Sequence, residues 1–315
     1  MADSNPKILI LLSTYNGEKY LQQQLTSLRL QIGVDVYYLI RDDGSKDATI
    51  EILNHFSSME SNVELIFGNN IGFAYSFREL LILGNKYLDT VNYFAFCDQD
   101  DIWLKDKLYL ATVQLKKMSS SIPGMYCSNL LLIDENLNSL GKAYQRGTVR
   151  FSKGNSLVES ISTGCTMVFN RKTIETFNNY LPQNITFHDF FIYQMCIFFG
   201  EVYYDDVPHI LYRQHRDNVI GGKKNTIIAR WKHRFKLFST LSSQHYRELA
   251  AQELLRLYEG ILSDEDKRLI RIVANYKQSL LARIRFLFPP KGSNLKMSTL
   301  SSGMRLKIRI LLGAV

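Results

Sequence analysis

The chain has 315 residues, 46% of them hydrophobic and 22% charged, with a formal net charge of +8. That profile fits one large globular domain with its own core, or a domain plus a helical extension, and it speaks against a disordered or low-complexity chain. No apolar stretch is long enough to span a bilayer.

The start, Met1 to Pro6, has neither a basic opening nor a long apolar run, so no secretory leader is expected and the cytoplasm is the expected compartment. Cys97, Cys127, Cys165 and Cys196 form no C-x-x-C pair. Free thiols in a reducing compartment are therefore expected, and a zinc site is not. By the same reasoning Asn184-Ile185-Thr186 is a chance match to a glycosylation sequon. Charge is unevenly placed. Residues 1–222 carry 19 Lys/Arg against 24 Asp/Glu, and residues 223–315 carry 19 against 6. An acidic body and a basic tail have different partners.

Residues 7–12 are a continuous apolar run ending at Ser13-Thr14-Tyr15-Asn16-Gly17, the pattern of a buried parallel strand and its turn. A helical spacing follows over 18–29, then a strand over 34–40 that runs into Arg41-Asp42-Asp43-Gly44-Ser45. Asp47 reads as the N-cap of a helix reaching Phe56. A third strand (63–67), the loop Gly68-Asn69-Asn70-Ile71-Gly72, a helix (73–85) and a fourth strand (91–97) come next. Four strand–loop–helix repeats predict right-handed βαβ units with a parallel sheet, and the polar loops then gather on the sheet edge where ligands bind. Further on, a helix is expected over 103–118, strands over 125–132 and 164–169, and a buried helix over 190–199. From about residue 225 the pattern is helical and basic, broken by Pro289-Pro290.

Asp98-Gln99-Asp100-Asp101 closes the fourth strand. Three carboxylates so close repel one another, and removing them from water costs more still. A divalent cation resolves both problems, because hard cations take carboxylate oxygens, and it points to a phosphate-bearing substrate. Neither G-x-G-x-x-G after a strand nor G-x-x-x-x-G-K-[ST] is present, which argues against a nicotinamide dehydrogenase or P-loop NTPase.

The ordered set Ser13-Thr14-Tyr15-Asn16-Gly17, Asp42-Asp43-Gly44-Ser45, Asn70-Ile71-Gly72, Asp98-Gln99-Asp100-Asp101, Gly164-Cys165, His188-Asp189 and Tyr212-Arg213-Gln214-His215 resembles the family 2 glycosyltransferases of GT-A fold. It resembles most the bacterial rhamnosyltransferases of surface polysaccharide synthesis. The resemblance implies an α/β GT-A nucleotide-sugar-binding domain over 1–222, with a helical basic region over 223–315. It implies that Thr14 and Tyr15 line the nucleotide pocket, that Asp43 meets the pyrimidine, and that Asn70 and Gly72 pass beside the nucleotide. Asp100 would ligate Mg²⁺ or Mn²⁺, and Asp98 would lie near the ribose and the metal. Gly164 and His188 fall on the acceptor side, and Asp189 corresponds to the general base. Arg213 and His215 are candidates for the diphosphate and the metal, and the stretch from Gly221 to Lys224 for a closing loop. Plainer roles stand beside these: Asp101 as cap of the helix near Trp103, Asp189 as cap of the next helix, and the loops as ordinary turns.

The implied reaction transfers a sugar, best matched by L-rhamnose from dTDP-β-L-rhamnose, to a hydroxyl of a lipid-linked saccharide. A sugar-phosphate nucleotidyltransferase is the enzymatic alternative, although Ser13 to Gly17 lacks its Gly-rich basic loop. A non-enzymatic scaffold using the basic tail is the other. In the tail, Lys and Arg alternate with Leu, Ile and Phe, as over 279–288 and 304–312. That suits an anionic membrane surface better than nucleic acid, which is not the expected partner. A helical region packed on the body with a basic outer face explains the same pattern, and dimerisation through these helices stays open.

Overall fold

The computed structural model describes residues 4–215 and 245–315. The stretch from Gly221 to Lys224 and the boundary at 222/223 lie outside the described residues.

Four strands open the chain: β1 (Lys7–Thr14), β2 (Asp35–Asp42), β3 (Val63–Phe67) and β4 (Tyr93–Cys97). Between them lie α1 (Leu21–Arg29), α2 (Thr49–Met59) and α3 (Phe73–Gly84). All four strands run parallel, with Thr14 opposite Asp42, Asp42 opposite Phe67 and Leu12 opposite Cys97. This register brings the strand ends, and the polar loops that follow, to one edge. The apolar run of β1 serves both faces of the sheet. Ile8, Ile10 and Leu12 pack with α1, α2 and the later helix α4 (Lys107–Leu115), while Leu9 and Leu11 pack with α3 and the helices beyond. Alternate residues of a strand point to opposite faces, so a sheet covered on both sides needs apolar residues at every position.

Three local expectations are corrected. The helix expected from Trp103 begins only at Lys107, because β5 (Ile102–Trp103) pairs antiparallel with β11 (Ile210–Arg213). The strand expected over 125–132 is two strands, β6 (Gly124–Ser128) and β7 (Leu131–Ile133). Asn129 divides them: its Oδ1 accepts from the Leu130 and Tyr144 amides, and its Nδ2 donates to the Tyr144 carbonyl. The side chain thus takes up the Leu130 amide, which is then not available to a ladder. Asp47 is not the N-cap of α2; its Oδ1 accepts from the Thr49 amide and hydroxyl while its Oδ2 accepts from the Glu18 amide, tying two loops.

The main sheet has seven strands in the order β10 (Glu201–Asp205), β6, β9 (Val168–Asn170), β4, β1, β2, β3. β9 runs antiparallel to both neighbours, so the sheet is mostly rather than wholly parallel. A smaller sheet, β5-β11-β7-β8 with β8 at Ser139–Lys142, lies at the edge where β4 ends. Besides the short α5 (Lys153–Ser156), two further helices flank the main sheet: α6 (Arg171–Asn179) and α7 (His188–Phe199), the latter apolar on nearly all sides and buried as expected.

Beyond residue 245 come α8 (Tyr246–Tyr258), α9 (Asp264–Ala274), α10 (Leu280–Leu287) and α11 (Leu300–Leu311). Leu254, Tyr258, Ile270, Val273, Tyr276, Phe286, Leu306 and Ile310 join the same buried cluster as α3 and α7. Arg247 Nε donates to the Val158 carbonyl (2.6 Å), Glu253 Oε1 accepts from the Gln183 amide, and Asn155 Nδ2 donates to the Lys296 carbonyl (2.8 Å). The C-terminal helices thus pack on the body. A Cβ at Gly154 would lie 1.9 Å from the Ser293 carbonyl oxygen. Gly154→Ala is therefore expected to push the 293–295 segment off α5 and lower stability by about 1–3 kcal/mol, read as an earlier urea midpoint with an unchanged fold by circular dichroism.

Candidate active site

The first two loops are built around saturated carboxylates. Asp42 Oδ1 accepts from the amides of Gly44 (3.1 Å) and Ser45 (2.8 Å), and its Oδ2 from the hydroxyls of Ser45 (2.5 Å) and Thr14 (2.9 Å). Thr14 lies at the expected strand end, but its hydroxyl is committed to Asp42. Asp43 is 2% exposed, and Arg41 Nη1 donates to its Oδ1. The same oxygen accepts from the Ile71 amide (3.0 Å), and Oδ2 from the Gly72 amide (2.9 Å). Asp43 therefore organises the third loop from within. A pyrimidine contact would have to use the lone pair that remains on Oδ2.

Asn70 Oδ1 accepts from the Gly72 amide (3.2 Å), and Gly72 has φ +83° with open space where a side chain would be. Only glycine takes that conformation freely, and here it lets bare backbone face the edge. Tyr15 is 44% exposed at the rim. Its amide donates to Gln99 Oε1 (2.8 Å) and its carbonyl accepts from Gln99 Nε2 (3.0 Å). The polar residue inside the acidic motif is thus a clasp between the β1 and β4 loops, and a Cβ at Gly17 would lie 2.4 Å from it.

At the end of β4 the carboxylates gather. Asp98, Asp101 and Cys165 place ligand atoms within 4.8 Å of one another. Burial, with Asp100 and Asp189 nearby, pushes the Asp98 carboxyl up to about 8, and burial beside Asp98 and Asp100 drives Asp101 well above the carboxylate range. The Cys165 thiol is pushed up by burial and by the charges of Asp101 and Asp98. Asp101 does not cap a helix: its Oδ1 accepts from the Arg213 amide (3.1 Å), and its buried Oδ2 has no hydrogen-bond partner.

That bond draws β11 alongside and delivers Tyr212-Arg213-Gln214-His215. His215 Nε2 donates to Asp100 Oδ2 at 2.7 Å. Arg213, expected at the diphosphate, is 1% exposed. It braces the site from behind, donating from Nε to the Asp100 carbonyl (2.9 Å) and from Nη2 to Gln23 Oε1 (2.5 Å), with its guanidinium over the Tyr20 ring. The oxygens of Asp98 and Asp100 with the His215 imidazole suit Mg²⁺ or Mn²⁺, whereas a protonated Cys165 thiol does not.

Asp189 lies in the first turn of α7, where Oδ1 accepts from the Phe190 amide (2.7 Å) and Oδ2 from the Gly164 amide (3.2 Å). Burial raises its carboxyl to about 6, above the usual range despite these bonds. Its neighbour His188 faces inward. The ring stacks on Phe77 (3.8 Å between centroids), meets Phe96 edge-on (4.8 Å), and has no hydrogen bond at either nitrogen. His188 is a wall of the site, not a group open to an acceptor. A Cβ at Gly164 would lie 3.0 Å from His188 Nε2, so the residue must be small there.

Sequence reading missed Arg41, Gln99 and Lys107. Lys107 is wholly buried with its Nζ over the Trp103 ring (3.3 Å), and burial lowers its ammonium to about 7. A charged residue inside the apolar pattern of α4 was the available signal.

Comparison with known proteins decides the class. The glycosyl transferase family 2 model matches residues 9–189. The chain belongs to that family. Over 249 residues this glycosyltransferase is 29% identical to a dTDP-rhamnosyl transferase, RfbG, of Shigella flexneri, covering 75% of this chain and 81% of the relative. It is similar in fold to TarS of S. aureus in complex with UDP-GlcNAc (16% identity, TM-score 0.57, 91% of this chain and 76% of that one). It is also similar in fold to the mannosyltransferase PcManGT of Pyrobaculum calidifontis in complex with GDP-Man and Mn²⁺ (12% identity, TM-score 0.50, 99% and 82%). A glycosyltransferase with a mostly parallel GT-A sheet and C-terminal helices agrees with the class read from the sequence. It is favoured over a nucleotidyltransferase or a scaffold.

Removing the Asp43 carboxylate should expose its structural duty. Asp43→Ala strands the Arg41 guanidinium, 6% exposed, without its counter-charge, and is expected to lose about 3–5 kcal/mol of stability, measured by urea denaturation without nucleotide.

Proposed function

We propose that this glycosyltransferase moves L-rhamnose from dTDP-β-L-rhamnose to a hydroxyl of a lipid-linked saccharide, with inversion at the anomeric carbon. The donor assignment draws on the likeness to the Shigella flexneri dTDP-rhamnosyl transferase. What carries the inverting reading is the single carboxylate of Asp189, fixed by two backbone amides and near enough to Asp98 to raise its carboxyl.

In this reading the diphosphate lies toward the end of β4 and the acceptor approaches from the side of α7. Asp189 takes the proton of the attacking hydroxyl as its oxygen bonds to the anomeric carbon. The bond from that carbon to the phosphate oxygen breaks, its electron pair leaves with the nucleoside diphosphate, and a β-linked donor gives an α-L-rhamnoside. Asp98, Asp100 and His215 would hold Mg²⁺ or Mn²⁺, which supplies charge neutralisation for the leaving diphosphate. Arg213 and Gln23 keep the Asp100 backbone in place. The Gln99 clasp holds Tyr15 at the nucleotide end, where Thr14, Asp43, Asn70 and Gly72 form the floor. Gly164 fixes the base, and His188 gives it an apolar back wall.

Asp189→Ala should lower kcat by about 10²–10⁴-fold while the donor still raises the melting temperature. Unchanged turnover would remove the base assignment. In the wild type only ionised Asp189 accepts a proton, so kcat should fall with acidity below about pH 6 and be flat above it. A melting-temperature screen of nucleotide sugars with Mn²⁺ should give its largest shift with dTDP-rhamnose; a larger shift with UDP-GlcNAc or GDP-mannose would overturn the donor assignment.

A further inference from the structure

The last two helices leave a face that nothing else in the described structure explains. Leu280, Ile284 and Phe288 repeat every four residues along and just past α10, and Leu281 stands beside them. Met304, Ile308, Leu311 and Leu312 form the matching stripe on α11. All eight are exposed, with Phe288 at 72% and Leu281 at 78%. The opposite sides of the same helices are buried through Phe286, Leu306 and Ile310. So the helices already have a core to pack on, and the outer apolar stripe is additional to it.

The two stripes adjoin. Arg283 Nη1 donates to the Leu311 carbonyl (3.3 Å), and Lys307 Nζ stands 5.7 Å from the centre of the Phe288 ring. Charge within the segment that carries them has one sign. Residues 267–315 contain eleven Lys/Arg and no Asp/Glu. Beside α10 opens a cleft of about 580 Å³ lined in part by Lys153, Arg268, Arg285 and Lys291. Asp266 and Glu265 also line it, and Asp266 is paired with Lys153 at 2.8 Å.

We infer that the α10–α11 face docks on an anionic phospholipid bilayer, its apolar stripe entering the acyl boundary and its basic rim and cleft meeting the headgroup phosphates. A hydrophobic stripe rimmed by cations, on helices too short to span, fits an interfacial element. Flexible Lys and Arg stems lie along apolar surface while their charges reach the headgroups. Nucleic acid fits less well, since seven of the eight exposed side chains are Leu, Ile or Met and Phe288 alone offers bases a stacking surface. The inference stands apart from the choice of donor sugar.

The test is co-sedimentation of the full chain with vesicles of phosphatidylcholine alone, or with about 30% phosphatidylglycerol added. The wild type should pellet with the anionic vesicles only, and high salt should release it. Phe288→Glu with Ile308→Glu, both at exposed positions, should weaken pelleting at least about tenfold with an unchanged melting temperature and unchanged donor hydrolysis. Arg285→Gln with Lys307→Gln should weaken it too and leave a smaller salt effect. If the wild type stays in the supernatant with anionic vesicles, or the double Glu variant pellets as well as the wild type, the inference fails. It fails equally if light scattering shows a dimer that the Glu variant splits while neither form binds vesicles, because a second copy of the chain then covers the face.

Discussion

A carboxylate taken out of water must be given hydrogen bonds, a counter-charge or a proton, and each aspartate at the edge where the parallel strands end is handled differently. Asp42 receives two amides and two hydroxyls and becomes a structural node. Asp43 receives an arginine and two amides. Asp98 and Asp101 are left short of partners, and burial together with the neighbouring carboxylates raises both. The loops thus contain both finished and unfinished electrostatic sites. Unfinished carboxylates of this kind are the candidates for binding a cation or a charged ligand.

The small sheet follows from the same constraint. Because Asp101 accepts from the Arg213 amide, β11 lies against β5 and brings His215 to Asp100. Arg213 then fills the space behind, with its guanidinium against Tyr20 and its Nε on the Asp100 carbonyl. One acidic side chain therefore joins residues more than a hundred positions apart. The candidate site residues named from sequence differ in setting: His215 is bonded to Asp100, and Asp100 and Asp189 lie close enough to raise the Asp98 carboxyl, while Arg213 and His188 are buried against aromatic rings.

The first half of the fold was legible because its strands are continuous apolar runs, each ending in an Asp-, Asn- or Gly-rich loop. Periodicity and turn chemistry speak there in the same segment. The acidic motif was legible for a different reason, since such a cluster contradicts its apolar setting. What escaped depends on partners distant in sequence. The split at Asn129 is made by the carbonyl and amide of Tyr144, and the late start of α4 by pairing with β11. The antiparallel β9 leaves no local trace of its direction. Arg41 looked like an ordinary residue at a strand end, since nothing nearby shows that its guanidinium reaches Ser76 and the Asn69 carbonyl. The tail's composition pointed to both a basic outer surface and packing on the body, and its helices do have both sides.

His188 has a thermodynamic consequence for the whole chain. Its imidazole, held between two phenylalanine rings, is lowered by burial to about 3 from an ordinary 6.5. Between those values the unfolded chain binds a proton there that the native state refuses, so mild acid draws the equilibrium toward unfolding through this ring. The imidazole beside Asp189 therefore stays uncharged over the range in which that carboxyl titrates, and the two neighbours do not change charge together.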